Sequence, residues 1–184
     1  MATISDTLVQ VKDGRRVIIR SAKRGDARAI LEHVHAIFVE GEFVLSTPED
    51  FHMTEELEAA WLQANLDDPG KLAIVAEYEG RIIGLLNFHS EERKRVKHHG
   101  ELSMSVNIAW RHRGVGRALL LALLAWAEQH PALEKVCLQV FATNTRAIAL
   151  YTSLGFQEEG RQVRDVKMES GVYVDVLLMA RFVK

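Results

Sequence analysis

One segment of the sequence has the composition of an anion-binding loop: Arg111-His-Arg-Gly114-Val-Gly116-Arg117. A predicted strand ends just before this segment, and a predicted helix begins within it. Glycine lets the backbone approach a ligand closely, and the unpaired amides at the start of a helix bind phosphate oxygens. The three arginines add positive charge at the same point. The segment therefore predicts a site for a phosphorylated ligand.

The type of phosphorylated ligand is narrowed by two motifs that this segment does not contain. It has neither the third glycine of the dinucleotide fingerprint Gly-x-Gly-x-x-Gly nor the Gly-Lys-Ser/Thr of a P-loop. Both NAD and nucleoside triphosphates are therefore disfavoured as ligands. A pyrophosphate carried by another molecule is the predicted ligand.

The composition of the whole chain excludes several classes of partner. With 184 residues and 48% hydrophobic content, residues 1–184 are expected to form one domain with one core. The formal net charge of −2 gives no reason to expect nucleic acid or an anionic membrane as a partner. The basic run Arg93–Lys97 contains no interleaved aromatic residue and is interpreted as a solvated loop. We predict no nucleic-acid partner and no membrane partner.

The cysteine and histidine content bears on metals and on location. Cys137 is the only cysteine, which excludes an intrachain disulfide and any multi-cysteine metal site. The histidines are not accompanied by carboxylates at ligand spacing, so no metal is predicted. Met1–Arg20 contains several charges and no sustained apolar run, which argues against a signal peptide. A reducing, cytoplasmic location is predicted.

Hydrophobic periodicity predicts the elements that must position the loop. The predicted order is β-α-α-β-β-β-α-β-α-β-β, which is typical of an α/β or α+β layered fold with helices on both faces of a mixed sheet. The strand before the loop, Leu102–Ile108, alternates apolar and polar residues, with Glu101 on its polar side. The helix after the loop extends from Gly114 to Gln129, where Pro131 ends the pattern.

Two sequence blocks together resemble the GNAT (GCN5-related N-acetyltransferase) superfamily. The first, Arg111-x-x-Gly114-x-Gly116, follows a strand and opens a helix, and it looks like the acetyl-CoA signature of that family. The second, Asn144-Thr-Arg-Ala-Ile-Ala-Leu-Tyr-Thr-Ser-Leu-Gly-Phe156, is similar to the family's second block in content and distance. The segment Glu159–Met179 resembles the phosphinothricin-type and ribosomal-protein-type members. The chain is identified as a member of this superfamily.

The resemblance implies the GNAT fold, in which a mixed and mostly antiparallel sheet of six to seven strands is flanked by about four helices. It implies acetyl-CoA as the co-substrate, with no metal. The residues whose amides would hold the pyrophosphate are Arg111, His112, Arg113, Gly114, Val115, Gly116 and Arg117. The residues that would contact the pantetheine arm are Val106, Asn107 and Ile108, through their backbone, and Asn144. An extended pantetheine behaves like an added strand.

The resemblance also implies two proton-transfer residues. Tyr151 matches the tyrosine whose hydroxyl approaches the thioester sulfur, and Glu101 lies where many relatives carry a general base. An alkylamine has a pKa near 10.4, so roughly one molecule in a thousand is nucleophilic at neutral pH and a base must take the proton. The leaving thiol, with a pKa near 8.5, needs less help. Each of these functional roles has a structural alternative. Tyr151 could pack beside its neighbours, Glu101 could be a solvated strand-end carboxylate, and Asn144 could cap the helix that follows it.

The predicted function is transfer of acetyl from acetyl-CoA to a primary amine of a small molecule, such as an amino acid or a polyamine, by direct attack in a ternary complex. Two alternatives stay open: acetylation of a protein N-terminus, and sensing of acyl-CoA without turnover. Acidic residues from Glu40 to Glu56 would suit a cationic acceptor, whereas Arg161, Arg164 and Tyr173 would suit a carboxylate. The two apolar faces of the last predicted strand, Val172–Val183, predict a homodimer.

Overall fold

The computed structural model describes residues 3–184, which form eight strands and four α-helices. The strands are β1 (Thr7–Gln10), β2 (Arg16–Ser21), β3 (Lys71–Tyr78), β4 (Arg81–Ser90), β5 (His99–Val106), β6 (Lys135–Phe141), β7 (Gln157–Lys167) and β8 (Tyr173–Phe182). The helices are α1 (Ala27–Glu40), α2 (Glu55–Asp67), α3 (Val115–Gln129) and α4 (Thr145–Ser153).

All eight strands belong to one sheet, in the order β1-β2-β3-β4-β5-β6-β8-β7. Neighbouring strands are antiparallel except β5 and β6, which are parallel. The predicted mixed, mostly antiparallel sheet with four helices is confirmed. Six to seven strands were predicted, and the sheet has eight. The additional strand is β1, which pairs with β2 through contacts such as Thr7 with Ile19. Only Val9 of β1 is half-buried, so the sequence carries no apolar alternation that would predict this strand.

The start of α2 differs from the sequence-based expectation. The capping hydroxyl of Thr47 and the proline that follows it predict a helix start at this point of the sequence, but these residues begin a short 3₁₀ turn that ends at Asp50. The helix itself begins at Glu55, where the hydroxyl of Thr54 accepts a hydrogen bond from the backbone N–H of Leu57 at 3.3 Å. The two threonines have the same capping chemistry, and the sequence alone does not distinguish between them.

Helices cover both faces of the sheet. On one face α3 buries Leu119, Leu120 and Leu123 completely against the central strands. Burial of each of these side chains contributes about 1.5–3 kcal/mol to stability. On the other face α1 and α2 pack over β3 and β4, around Ile30 and Leu62. Within residues 3–184, no helix combines the length and the apolar composition that crossing a membrane requires.

β5 and β6 are paired along only part of their length. Their pairing begins at His99 with Lys135 and ends at Glu101 with Cys137. Beyond that point β5 remains paired with β4 as far as Val106, and β6 remains paired with β8 as far as Phe141. The two strands therefore separate, and a gap opens between them in the middle of the sheet.

Candidate active site

Two clefts meet at the gap between β5 and β6. The loop cleft, of about 680 Å³, follows the Arg111–Arg117 loop and the first residues of α4. The strand cleft, of about 470 Å³, lies over β5 and β6 and reaches Glu101 and Asp165. Seven residues line both clefts: Ile37, Phe43, Val44, Met104, Ser105, Asn144 and Tyr151. These shared residues mark the place where groups bound in the two clefts would meet.

The open edge of β5 offers backbone groups to the gap. The pairing with β4 is bracketed by two hydrogen bonds, from Glu91 N–H to His99 O at 3.1 Å and from Asn107 N–H to Ile83 O at 2.9 Å. Hydrogen bonding alternates along an antiparallel pair. The odd-numbered residues of β5 therefore turn their peptide groups to β4, and those of Leu102, Met104 and Val106 face the gap.

Because of this alternation, the part of the backbone that is open to a ligand differs from the part that the sequence predicted. Val106, Asn107 and Ile108 were expected to pair with an extended ligand. The N–H of Asn107 is instead bonded to β4, and its side chain caps a 3₁₀ turn by accepting from Ala109 N–H at 3.0 Å. The carbonyl of Ile108 accepts from Arg111 N–H at 3.3 Å. Of the three predicted residues, Val106 has its peptide groups turned to the gap, and the open edge continues toward Leu102.

The glycines of the loop have separate structural roles. Gly114 caps α3 with a φ of +98°, a conformation that L side chains rarely adopt, and a Cβ there would meet nothing within 4 Å. A Cβ on Gly116 would lie 3.4 Å from side-chain atoms of both Leu150 and Met104. Gly114 thus permits the turn, and Gly116 permits close packing of α3 against α4 and β5. Both leave the first amides of α3 beside the loop cleft.

Two of the three loop arginines are ion-paired within the protein. Arg111 donates to both carboxylate oxygens of Glu40 and, through Nε, to the carbonyl of Val106 at 3.0 Å. Arg113 pairs with Asp13 and donates to the carbonyl of Ala109 at 2.9 Å. Each of these two side chains thus shares its positive charge with a nearby carboxylate, and their contribution to an anion site stays a prediction.

Three further cations line the loop cleft together with Arg111. Arg117 lies at the start of α3 and donates to Ser153 Oγ at 3.1 Å. Arg146, at the start of α4, lies 3.0 Å from His112 Nε2, and Lys12 is contributed by the turn between β1 and β2. Arg117 was predicted, whereas Lys12 and Arg146 were not. Arg146 lies inside the second sequence block, and this position could have indicated that its side chain lines the loop cleft.

Asn144 and Tyr151 lie where both clefts meet. The side-chain oxygen of Asn144 accepts from Ala147 N–H at 3.2 Å and caps α4. The ring of Tyr151 packs 5.8 Å from that of Phe156, and burial raises the pKa of its hydroxyl to about 12. Helix capping and side-chain packing, the structural alternatives for these residues, therefore coexist with a position at the junction. At neutral pH Tyr151 is protonated and able to donate a hydrogen bond.

Glu101 lies at the point where the strands part. It is half-buried, lines the strand cleft and is paired across the sheet with Cys137. Burial raises the pKa of the Cys137 thiol, and nearby carboxylates add to this effect. The neutral thiol is therefore favoured, and Cys137 is poorly suited to act as a nucleophile.

Asp165 is a second carboxylate of the strand cleft that the sequence did not reveal. It lies in an irregular part of β7, where the register with β8 shifts between Gln162 and Val166. Asp175 holds this bulge by accepting from Arg164 N–H and from Arg161 Nε, both at 2.7 Å. A bulge changes the direction of the side chains that follow, so regular alternation could not assign Asp165 to the cleft.

The groups that were expected to hold an acceptor are largely used elsewhere. Glu40 is paired with Arg111, and Arg161 is paired with Asp175. The guanidinium of Arg164 stacks 4.3 Å from the ring centre of Tyr173. Among the described residues, no group of three or more His, Cys, Asp or Glu side chains is arranged to hold a metal ion.

A buried histidine stands behind the junction of the clefts. His33 of α1 is 4% exposed, and its Nε2 lies 2.9 Å from Oγ of Ser105. Its Nδ1 is buried and has no hydrogen-bond partner among the described residues. Burial lowers the pKa of His33 to about 4, and the positive charge of Arg111 contributes. His33 is therefore neutral at pH 7.

Comparison with known proteins defines the class of this protein. The chain belongs to the acetyltransferase (GNAT) family, whose model matches residues 31–156. The superfamily predicted from the two sequence blocks is confirmed, and the protein is an N-acetyltransferase.

Individual relatives support this assignment. The chain is similar to the L-amino acid N-acetyltransferase AaaT of Escherichia coli, with 29% identity over 90% of this chain and 97% of the relative. It is 32% identical to a phosphinothricin N-acetyltransferase of Alcaligenes faecalis over 64% of this chain and 60% of that protein. The fold matches that of yncA, a putative acetyltransferase from Salmonella typhimurium, solved with its cofactor acetyl-CoA. That match has a TM-score of 0.81 at 22% identity and covers 92% of this chain and 95% of the other.

The depressed pKa of His33 predicts a pH-dependent stability. As pH falls, the unfolded imidazole takes up a proton near 6.5, whereas the folded one does so only near 4. The free energy of unfolding therefore keeps its full value above about pH 6.5, where His33 is neutral in both states. It falls by up to about 3 kcal/mol as the pH is lowered to about 4. Denaturant unfolding between pH 7 and 4.5 should therefore show a steeper loss for the wild type than for His33→Gln.

The exposed histidine of the same helix provides the control for this measurement. His35→Gln should keep the wild-type dependence, because His35 is on the solvent side of α1. If the wild type and His33→Gln lose stability in parallel, His33 does not resist protonation in the folded protein.

Proposed function

We propose that this enzyme binds acetyl-CoA in the loop cleft and transfers its acetyl group to a primary amine of a small molecule bound in the strand cleft. The observation that carries this proposal is the meeting of the two clefts at the gap between β5 and β6. The loop cleft has cations and helix-start amides, with Glu40 and Glu42 beside Arg111, and the strand cleft has carboxylates and no cation in its described lining. The reacting groups would meet at the residues that line both clefts.

The loop cleft suits the coenzyme. The first amides of α3, together with Lys12, Arg117 and Arg146, offer hydrogen bonds and charge to a pyrophosphate. The pantetheine arm is an extended amide chain, and the peptide groups of Met104 and the N–H of Val106 offer it the partners that an added strand would have, since the Val106 carbonyl already accepts from Arg111. The thioester would then lie near Tyr151, at the junction of the clefts.

The strand cleft suits an amine that carries no negatively charged group. Its described lining includes Glu101 and Asp165 but no lysine, arginine or histidine. Its other polar groups come from serine, asparagine, glutamine and tyrosine side chains. A protonated or dibasic amine would be held by these carboxylates, and this supports an acceptor such as a polyamine.

An amino acid is the second candidate acceptor. It is favoured by the likeness to the L-amino acid N-acetyltransferase of Escherichia coli, which extends over 90% of this chain. An amino acid brings a carboxylate, which would need a cation near the strand cleft. Arg164 directly precedes Asp165 of the cleft, and Arg161 lies four residues before it. Arg164 would have to leave the ring of Tyr173, or Arg161 its pairing with Asp175, to bind the substrate.

The proposed reaction is direct attack of the amine on the thioester carbonyl. Glu101 takes a proton from the ammonium, the backbone of β5 polarises the carbonyl oxygen, and Tyr151 gives a proton to the departing thiolate. The neutral state of the Cys137 thiol argues against an acetyl-cysteine intermediate.

A homodimer is part of this proposal, but β8 supports it less than expected. Val174 and Val176 on one face of β8, and Leu177 and Met179 on the other, are already buried within one chain. Apolar side chains that a second copy could still cover include Val163 and Val172, which are 70% and 59% exposed, and Phe182 at the end of β8, which is 66% exposed.

The first test of this function is an acceptor panel. Thiol release from acetyl-CoA should be measured with polyamines, amino acids, aminoglycosides and short peptides. Polyamines should give the highest kcat/KM, because the strand cleft has carboxylates and no described cation in its lining. A preference for amino acids would favour the second candidate. Silence across the whole panel would favour an acyl-CoA sensor instead.

The coenzyme site is tested by a matched pair of variants at Gly114. Both Gly114→Asn and Gly114→Asp impose a side chain at a φ of +98°, and asparagine and aspartate both tolerate this region better than other residues. The aspartate adds a negative charge at the start of α3, where it stabilises the helix but repels phosphate. Calorimetry should show weaker acetyl-CoA binding for Gly114→Asp than for Gly114→Asn. Equal affinities would mean that the pyrophosphate binds elsewhere.

The proton-transfer roles are separated by Glu101→Gln and Tyr151→Phe. General acid–base groups contribute roughly 10²- to 10⁴-fold in rate, and we expect Glu101→Gln near the upper end and Tyr151→Phe near the lower. The amine must lose a proton near pKa 10.4, whereas the thiol leaves near 8.5. The two variants should also differ in their pH–rate profiles. In Glu101→Gln the rate should rise with pH toward the pKa of the amine, whereas Tyr151→Phe should keep the acidic limb of the wild-type profile. A wild-type rate and acidic limb in Glu101→Gln would remove Glu101 as the base.

A further inference from the structure

Ser105 lies at the junction of the two clefts and is held from behind by one residue. It lines both clefts, and its side chain is on the same face of β5 as Glu101. Its Oγ lies 2.9 Å from Nε2 of His33, which is its only hydrogen-bond partner in the described structure. Ser105 also lies between Met104 and Val106, the residues whose peptide groups face the gap.

The surroundings of His33 decide which partner donates in this hydrogen bond. Nδ1 is buried without a partner, so a proton on Nδ1 would be an unsatisfied buried N–H. Buried N–H groups without acceptors are rarer than buried acceptors with an unused lone pair. The favoured neutral tautomer therefore carries its proton on Nε2. In that tautomer His33 donates to Ser105, and the hydroxyl proton of Ser105 remains free for another acceptor.

The acetyl carbonyl is the acceptor that this arrangement fits. In the transfer proposed above, the amine nitrogen bonds to the carbonyl carbon and the C=O electron pair moves to oxygen. Glu101 has by then taken one proton from the ammonium. As the C=O bond re-forms and the C–S bond breaks, the leaving thiolate takes a proton from Tyr151, and Tyr151 regains one from the nitrogen, which leaves a neutral amide and a neutral thiol. A hydroxyl donor that is already oriented stabilises the acetyl oxygen most strongly in the intermediate, where that oxygen carries a negative charge.

We propose that Ser105 is a further catalytic residue, whose hydroxyl donates a hydrogen bond to the acetyl oxygen as the amine adds, and that His33 is the positioning residue that orients it. This inference rests on the proposed function. The Ser105 proton is shared with the oxygen but not transferred. His33 acts only through Ser105, because its imidazole lines neither cleft.

The test compares a donor with a non-donor of similar shape at position 33. The side chain of Gln keeps an N–H donor near the place of Nε2, and that of Met has nearly the same shape without a donor. Ser105→Ala should lower kcat roughly 10²-fold, with the KM of the amine and the affinity for acetyl-CoA little changed. His33→Met should lower kcat about tenfold, and His33→Gln should recover most of that loss.

A double variant separates positioning from general damage to the fold. If His33 acts through Ser105, then His33→Met should lower kcat no further in the Ser105→Ala background. Equal losses in both backgrounds would overturn the positioning role. A wild-type kcat in Ser105→Ala, or a change confined to the KM of the amine, would overturn the catalytic role.

The same measurements distinguish this inference from the proposed function. Turnover by the wild type with no loss in Ser105→Ala overturns only the role of Ser105. Binding of acetyl-CoA without transfer to any amine overturns both. Ser105→Ala leaves Nε2 of His33 without a partner, which lowers the stability of the folded protein. The cost of one unsatisfied hydrogen-bonding group is smaller than the free energy of unfolding of a typical folded protein, so the variant should fold and remains decisive if His33→Met unfolds.

Discussion

The separation of β5 from β6 is the constraint on which the rest of the site depends. Each strand keeps one partner, β4 for β5 and β8 for β6, while the pairing between them stops at Glu101 and Cys137. Separated strands expose peptide groups in the middle of a sheet, where unpaired groups are costly unless a ligand or water satisfies them. The gap thus creates a row of hydrogen-bonding groups, and the layers on both faces provide the walls of the two clefts.

Ion pairs across long sequence distances hold the loop beside this gap. Arg111 joins the loop to the end of α1 through Glu40, and Arg113 joins it to the turn between β1 and β2 through Asp13. Arg15 of that turn stacks 4.2 Å from the ring centre of Trp110, which adds a third contact. These arginines shape the loop and are paired with carboxylates, whereas Lys12, Arg117 and Arg146 line the loop cleft without a carboxylate partner among the described ion pairs. The basic character of a motif therefore did not show which of its cations are paired with carboxylates of the same protein.

Sequence reasoning succeeded where the chemistry is local and failed where it depends on distant partners. The turn at Gly114 and the cap at Asn144 follow from residue types at short spacing, and these positions were predicted. Arg111 is neutralised by a residue 71 positions away, and Arg113 by one 100 positions away, so periodicity could not reveal either pairing. Asp165 depends on a bulge, and the pair of Ser105 and His33 depends on how α1 packs on the sheet.

The placement of Lys12, Arg117 and Arg146 also determines how an anion would reach the site. The net charge of −2 opposes a polyanion at long range. At physiological ionic strength the Debye length is about 8 Å, so this repulsion is screened beyond the immediate surface. A polyanion would therefore respond to these cations only when it is close to the cleft. Its capture would be a short-range event that added salt weakens, and diffusion from afar would gain little steering from the protein.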